Sequence, residues 1–581
     1  MIKPLQSQLN LQNVARPKGK AAAKDAGPSD QFQKGDWRND LANFGKKLEA
    51  REALGLGDVK DGSEMAEVLA RILGDETPTS DLKLIADRQM AKEGMFTSFP
   101  SGVLAEVASV SGPAKLSDGI VDLRHLPMVS VDNGTLDPIT GKLKSDESKD
   151  IDQCEFAERL PNGNIRVLVA IADVDSLVAK GSAVDRHAMH NSATVYTDDK
   201  IFPMIPEKFS TDFTSLNGDQ DRTAMVKEYQ VTPEGEMVEP KVYQAMIHNH
   251  AKMAYESVNE WLTDGTGAKP PQLANPVFAE QIRLQDEASQ RLAANFYAKG
   301  SLDIESQEVK AQTNEKGNVV GMKVDQQNRA KDLVKYGMMA ANMASMQVLE
   351  AANMPTLRRI VKTPEKWDRI VDLAKTYEYK LPASANAREL NKFLEARKQA
   401  DPEHHQDLCN KVVRLVGRGE YVVATPGEPI EGHFCLAVQD YGHTTAPNRR
   451  APDLINQRIE KAAANGTECP YSKEELEELA LHFSAQEKTI SGVERNVHRS
   501  ASAKMMEPMV GKTFDGIVSR ADDQATWVRL EEPPVMGKWH GNKLEEGTHL
   551  RVKLDKVNVE KGWIDFSAAE TQSADGFLFK A

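Results

Sequence analysis

The sequence predicts an α+β protein with three parts: a small N-terminal helical unit, a large central domain of mixed sheet and helices, and a C-terminal five-stranded OB-fold β-barrel. Three observations carry that expectation. Apolar residues recur at helical spacing near the N-terminus and again over 328–354 and 473–506. The run "CEFAERLPNGNIRVLVAIADV" sets two extended segments around Pro-Asn-Gly-Asn, a strong hairpin signal. Near the C-terminus, five short strand-like segments alternate with Gly-bearing turns, the pattern of a small barrel.

In chain order, residues 1–40 mix Gln, Asn, Ala, Gly, Pro and Lys with no apolar period and are expected to form a disordered tail. Residues 41–115 form the helical domain. "NDLANFGKKLEAREALGLG" has an Asp near its start and glycines at its end, and "GSEMAEVLARILGDE" repeats that scheme. The central domain, 116–507, holds the hairpin and the long amphipathic helices; its methionines at 338, 339, 343, 346 and 354 read as core packing. Residues 508–572 form the barrel, with strands in "KTFDGIVSRAD", "QATWVRLEEP", "GKWHG", "THLRVKLDKVNV" and "GWIDFSA". Trp527, Arg529, Trp539, His540 and Arg551 there mix aromatic and basic groups, as surfaces that stack bases and hold phosphates do. Burial of one or both tryptophans in the barrel core is the competing expectation.

At 581 residues the chain exceeds one ordinary core. No apolar run is long enough to cross a bilayer and the N-terminus lacks a secretory core, so a cytoplasmic protein without a membrane partner is expected. Cys154, Cys409, Cys435 and Cys469 are far apart, which favours reduced thiols. The formal charge of -14 does not exclude nucleic acid, because binding follows local clusters of Lys and Arg. P-loop, nucleophile-elbow and H-E-x-x-H patterns are absent. The pairs His187/His190 and His404/His405 lack a third zinc ligand nearby and read as core or solvated histidines.

The chemistry concentrates in "SDESKDIDQCEF", with Asp146, Glu147, Asp150, Asp152 and then Gln153. On an extended segment Asp150 and Asp152 share a face, about 7 Å apart. With a third acid from elsewhere they suit a hard Mg²⁺ or Mn²⁺ ion, which takes oxygen ligands and bridges phosphates. An isolated D-x-D is more often a solvated acidic loop, so the surroundings decide.

Those surroundings resemble the RNase II/RNase R (RNB) family of exoribonucleases. That family shows an aspartate, a spacer and S-R-D-[IL]-D-[DQ]; here "VSVDN" and "DESKDIDQ" put Asp132, Asp150 and Asp152 in the acidic positions. Between them "GTLDPITGKLKS" reads as an insertion looping out on a Pro-containing turn, and Asp146 and Asp137 compete with Asp132 for the distal position. "HNSATVYTDDKIFPMIPEKFSTDFTSLNGDQDRTAMV" is similar to the family stretch with a base-stacking tyrosine, here Tyr196, and a signature that includes Arg222. "YGHTTAPNRRAPDLINQR" puts Arg449, beside Arg450, where the family contacts the scissile phosphate, and "SGVERNVHR" supplies Glu494 to clamp the terminal nucleotide. The barrel resembles the S-one type RNA-binding domain that commonly follows an RNB domain.

The resemblance implies a hydrolase that degrades single-stranded RNA processively from a free 3′ end to nucleoside 5′-monophosphates, using Mg²⁺ or Mn²⁺, as a cytoplasmic monomer. It implies catalytic roles for Asp150, Asp152, Tyr196, Arg449 and Glu494, and metal ligation by Asp132, Asp150 and Asp152. It further implies RNA contacts from Tyr196, Arg222, Arg449, Arg450, Glu494, Trp527 and Arg529. Several departures matter. Gln153 brings no charge where many members have an aspartate. Asn448, Ala451 and Pro452 break the usual apolar and Tyr pattern around Arg449, and Pro452, which suits a first turn and not an interior, bears on where the following helix starts. The N-terminal helices do not resemble the cold-shock barrels ahead of many RNB domains, so the RNA entrance is expected to be built differently. Loss of chemistry through Gln153 and the insertion defines the alternative, a catalytically impaired RNB-fold RNA-binding protein.

Overall fold

A computed structural model describes residues 59–569 apart from 76, 137–142, 146–149, 264–269, 303, 305–307, 314–318 and 523. The expected tail and the whole of the first helical stretch lie outside the described residues. The second stretch is helix α1 (Val59–Gly74), which buries Met65, Ala66, Leu69 and Leu73, residues spaced to share one helix face. Helix α2 (Leu82–Lys92) is capped by the Asp81 carboxylate, which accepts the Lys83 N–H, and α3 (Ser101–Ser109) follows. The unit is docked onto the rest of the protein. Phe96 stacks on His190 at 3.8 Å between centroids, and Arg88 pairs with Glu560 of the C-terminal barrel at 2.7 Å.

The central domain begins with strands β1 (Val121–Asp122) and β2 (Met128–Asp132), the short pair β3 (Thr135–Leu136) and β4 (Leu143–Ser145), then β5 (Gln153–Arg159) and β6 (Ile165–Ala172). Helix α4 (Ala183–Asn191) and the pair β7 (Val195–Tyr196) and β8 (Ile201–Phe202) precede β9 (Asp221–Val231) and the long β10 (Met237–Ala254). The main sheet runs β1-β10-β2-β5-β6-β9, and β10 also pairs with β9, so the sheet curls back on itself. β5 and β6 form the expected hairpin, whose turn needs the left-handed backbone of Gly163 (φ 86°). The insertion forms the antiparallel β3–β4 arm from the end of β2; Asp137, Asp146 and Glu147 lie outside the described residues.

Helices α5 (Tyr255–Thr263) and α6 (Pro276–Lys299), strands β11 (Glu308–Thr313) and β12 (Val319–Asp325), and helix α7 (Arg329–Ala351) come next. Leu168, Ala170 and Ala172 face the inside of the curled sheet, while Val167, Val169 and Ile171 pack against α6 and α7. Burial of both faces is why β6 reads as a continuous apolar run. The methionine stripe is core, with Met339 and Met346 buried and Met338, Met343 and Met354 partly so.

Strands β13 (Thr356–Ile360) and β14 (Glu420–Ala424) pair antiparallel, and between them helices α8 (Trp367–Thr376), α9 (Ala387–Ala400) and α10 (Pro402–Val416) form a subdomain with its own core. Helix α11 (Ala451–Ala464) carries Pro452 in its first turn, as expected, and the 34-residue α12 (Lys473–Met506) crosses the molecule. Strands β15 (Thr513–Ala521), β16 (Thr526–Leu530), β17 (Met536–Trp539), β18 (His549–Asn558) and β19 (Trp563–Ala568) close as β15-β16-β17-β19-β18 around Val528, Leu554 and Phe566. Trp539 packs on that core. His187, His190 and His405 are buried, none of the four cysteines forms a disulfide, and no helix among the described residues is long and apolar enough to cross a membrane.

Candidate active site

β2 and β5 run antiparallel, so the end of β2, with Asp132, meets the start of β5, with Asp150 and Asp152. β5 begins at Gln153, so both later acids stand in the lead-in and not on the strand itself. Other groups hold that lead-in extended: the Ile151 N–H donates to Ser215 Oγ at 2.9 Å, and the Asp152 carbonyl accepts from Ala172 at 3.0 Å.

Asp132, Asp150, Asp152, Tyr196, Arg449 and Glu494 all line one cavity of about 1030 Å³. Asp152 is buried; its Oδ2 accepts from Arg449 Nε at 2.7 Å and its Oδ1 from Asn448 Nδ2 at 3.2 Å. Arg449 is half-exposed and opens into the cavity. Burial pushes the Asp132 carboxyl up to about 6; the Asn133 N–H it accepts at 2.7 Å works against that, and the negative charges of Asp152 and Asp150 add to it. Tyr196 has an exposed ring, and its backbone N–H donates to Glu494 Oε1 at 3.0 Å, tying ring and carboxylate into one corner. Gln153 also borders the cavity, and its Nε2 donates to the Val131 carbonyl at 3.2 Å, bracing β2 next to Asp132.

Other expected RNA contacts lie elsewhere. Arg222 is buried and commits its guanidinium to the Asp212 and Asp221 carbonyls and to the Gln220 side chain; it does not line the cavity. Arg450 turns to Asp453 at 2.7 Å and is also absent from the cavity wall. Arg529 reaches Asp407 of α10 at 3.2 Å, fastening the barrel to the body, and Trp527 stands half-buried on the neighbouring outward position of β16. Several cavity residues were not anticipated from the sequence, among them Tyr255, Ser491, Arg495 and His498. Tyr255 follows β10, whose Ala254 lies beside Asp132; Ser491, Arg495 and His498 share the α12 face of Glu494. The spacing 491, 494, 495, 498 is itself a helical stripe, a signal available in "SGVERNVHR".

Among the described residues no three Asp, Glu, His or Cys side chains are grouped tightly enough to form a metal cage. The donor set still fits a hard divalent ion. Asp132, Asp150 and Asp152 line one cavity, which Asp198 and Glu494 also border, and such ions are commonly held by one or two carboxylates plus substrate phosphates.

Beneath the site Glu155 is buried, and its Oε1 has no hydrogen-bond partner; burial pushes this carboxyl up to about 8. The folded protein keeps a proton that the unfolded chain releases above its ordinary 4.5, so this group's stabilisation is complete below that pH and declines as pH rises through about 8. Glu155→Gln is therefore expected to flatten the fall in melting temperature between about pH 5 and about pH 9. An unchanged slope contradicts this account.

Fold and site together define a class: a curled mixed sheet that gathers acids, an arginine and a tyrosine at one cavity, with an OB barrel fastened behind it. The chain belongs to the RNB family: the RNB domain matches residues 136–466, and the RNase II-type exonuclease C-terminal S1 domain matches 512–569. α12, which carries Glu494, lies between the two matches. Ribonuclease R 1 of Lactococcus lactis subsp. lactis (strain IL1403) is 26% identical over 538 residues, covering 86% of this chain. The chain spans 62% of that relative's length. Mycoplasma genitalium RNase R, solved in complex with ribose methylated single-stranded RNA, superposes with a TM-score of 0.74 at 20% identity over 84% of this chain and 78% of that one. Yeast Ssd1, described as a pseudonuclease, superposes with a TM-score of 0.62 at 16% identity over 83% of this chain and 58% of its own. The two superpositions establish the fold.

Proposed function

We propose that this protein is a 3′-to-5′ exoribonuclease that degrades single-stranded RNA with a free 3′ end, processively and hydrolytically, to nucleoside 5′-monophosphates. The observation that carries the reading is the meeting of Asp132, Asp150, Asp152, Tyr196, Arg449 and Glu494, distant in sequence, on one cavity wall. The name Ribonuclease R 1 of the Lactococcus relative and the RNA bound to the Mycoplasma protein support it.

In this reading Asp132, Asp150 and Asp152 hold Mg²⁺ or Mn²⁺. When bound by these carboxylates, such an ion would lower the pKa of an attacking water and would neutralise charge at the leaving oxygen. Arg449 donates to the scissile phosphate as negative charge grows on it. Tyr196 stacks on the terminal base, and Glu494 accepts from ribose hydroxyls, so the 2′-OH favours RNA over DNA. Trp527 on the barrel takes part in RNA contact by stacking. The lack of a disulfide at any of the four cysteines suits the cytoplasmic, monomeric protein of this reading.

The second reading, an RNB-fold RNA-binding protein with impaired chemistry, is favoured by Gln153 and by the likeness to a pseudonuclease fold. Labelled single-stranded RNA with Mg²⁺ separates the two. Steady release of mononucleotides that stops on addition of EDTA and resumes with excess Mg²⁺ is the expected result. Tight binding without product establishes the second reading instead.

A further inference from the structure

We propose that Asn448 and Thr214 form a buried relay that positions Asp152 independently of Arg449. The proposal rests on the reading of Asp152 as an acid of the reactive site. Asn448 and Thr214 are each 3% exposed. Asn448 Nδ2 donates to Asp152 Oδ1 at 3.2 Å, while Asn448 Oδ1 accepts from Thr214 Oγ1 at 2.7 Å.

The chemistry gives the relay one direction. An ionised carboxylate only accepts, so Asp152 takes the amide NH₂, and the amide oxygen must then find a donor. Thr214 has a single hydroxyl proton and two acceptors in reach, Asn448 Oδ1 and the Phe209 carbonyl, the latter at 2.9 Å. Phe209 already accepts the Thr214 backbone N–H at 3.0 Å, so the hydroxyl proton is available to Asn448.

The two oxygens of Asp152 are thus held in different ways. Oδ2 is held by Arg449, whose side chain is 47% exposed and able to turn toward a phosphate in the cavity. Oδ1 is held by an amide whose other end is anchored in the interior. When Arg449 engages a phosphate, the relay still restrains rotation of the carboxylate. Asp rotates broadly about its terminal torsion unless it is held. Small misplacement of a reacting group is costly in rate. Asn448 and Thr214 are positioning residues, since neither lines the cavity.

Thr214→Val removes the hydroxyl at nearly constant volume, and Thr214→Ser keeps it. Turnover of single-stranded RNA is expected to fall about tenfold in the Val variant with unchanged affinity for long RNA, and to stay near wild type in the Ser variant. Titration with Mn²⁺ followed by electron paramagnetic resonance, without RNA, is expected to show weaker binding in Thr214→Val and in Asn448→Leu but not in Thr214→Ser. Equal Mn²⁺ affinity and turnover in wild type and Thr214→Val overturns the relay, as does a Ser variant as impaired as the Val one. If the wild type binds Mn²⁺ but cleaves no RNA, the exoribonuclease reading fails while the Mn²⁺ titration still decides the relay. A wild type that neither binds Mn²⁺ nor cleaves overturns both.

Discussion

Asp152→Asn is expected to stop nucleotide release, by about a thousandfold or more, while single-stranded RNA still binds. The carboxylate lies between two donors, Arg449 Nε on Oδ2 and Asn448 Nδ2 on Oδ1. An amide in its place has one accepting oxygen, so one of those donors faces an NH₂ group. The substitution therefore removes a negative charge from the proposed ion site and loosens Arg449 at the same time. Binding survives because it draws on contacts along the strand, including the Tyr196 ring at the cavity. The check is parallel measurement of mononucleotide release and of RNA affinity, with a melting curve to establish folding. Wild-type turnover by the folded variant refutes the assignment.

Arg449→Ala is expected to lower kcat about a hundredfold or more, with little change in affinity for long RNA. A donor aimed at developing charge contributes most in the transition state, whereas ground-state affinity is shared among many phosphates. The substitution also leaves Asp152 with Asn448 on one oxygen and none of the Arg449 charge on the other. Arg449→Lys keeps the charge but not the planar fork and is expected to fall between the two. Separate determination of kcat and of RNA affinity decides the point. An effect confined to affinity contradicts a transition-state role.

Much of this was legible in the chain, for reasons specific to each element. The Asn162-Gly163 turn, the five barrel strands and Pro452 at the start of α11 were readable because each is governed by dihedral preferences and periodicities within a few residues. The acids were readable as a motif, but the strand start was not. β5 begins after Asp152 because side-chain and backbone partners from residues 172 and 215 hold the lead-in. The charges of Arg222, Arg450 and Arg529 were equally plain, yet all three are engaged with groups of the protein itself. Composition identifies a cation; its partner depends on which segments pack beside it.

By itself the sequence determined the class of fold, the hairpin, the barrel and the identity of the acids, arginine and tyrosine that meet at the cavity. Only the tertiary structure decided that Asp152 is held between Asn448 and Arg449, that Gln153 braces the Val131 carbonyl, and that Tyr255, Ser491, Arg495 and His498 join the site. The physical reason is range. Backbone preference and hydrophobic period act over a few neighbouring residues, whereas Asp152 and Arg449 are 297 positions apart and meet only once the sheet has curled and α11 has packed against it.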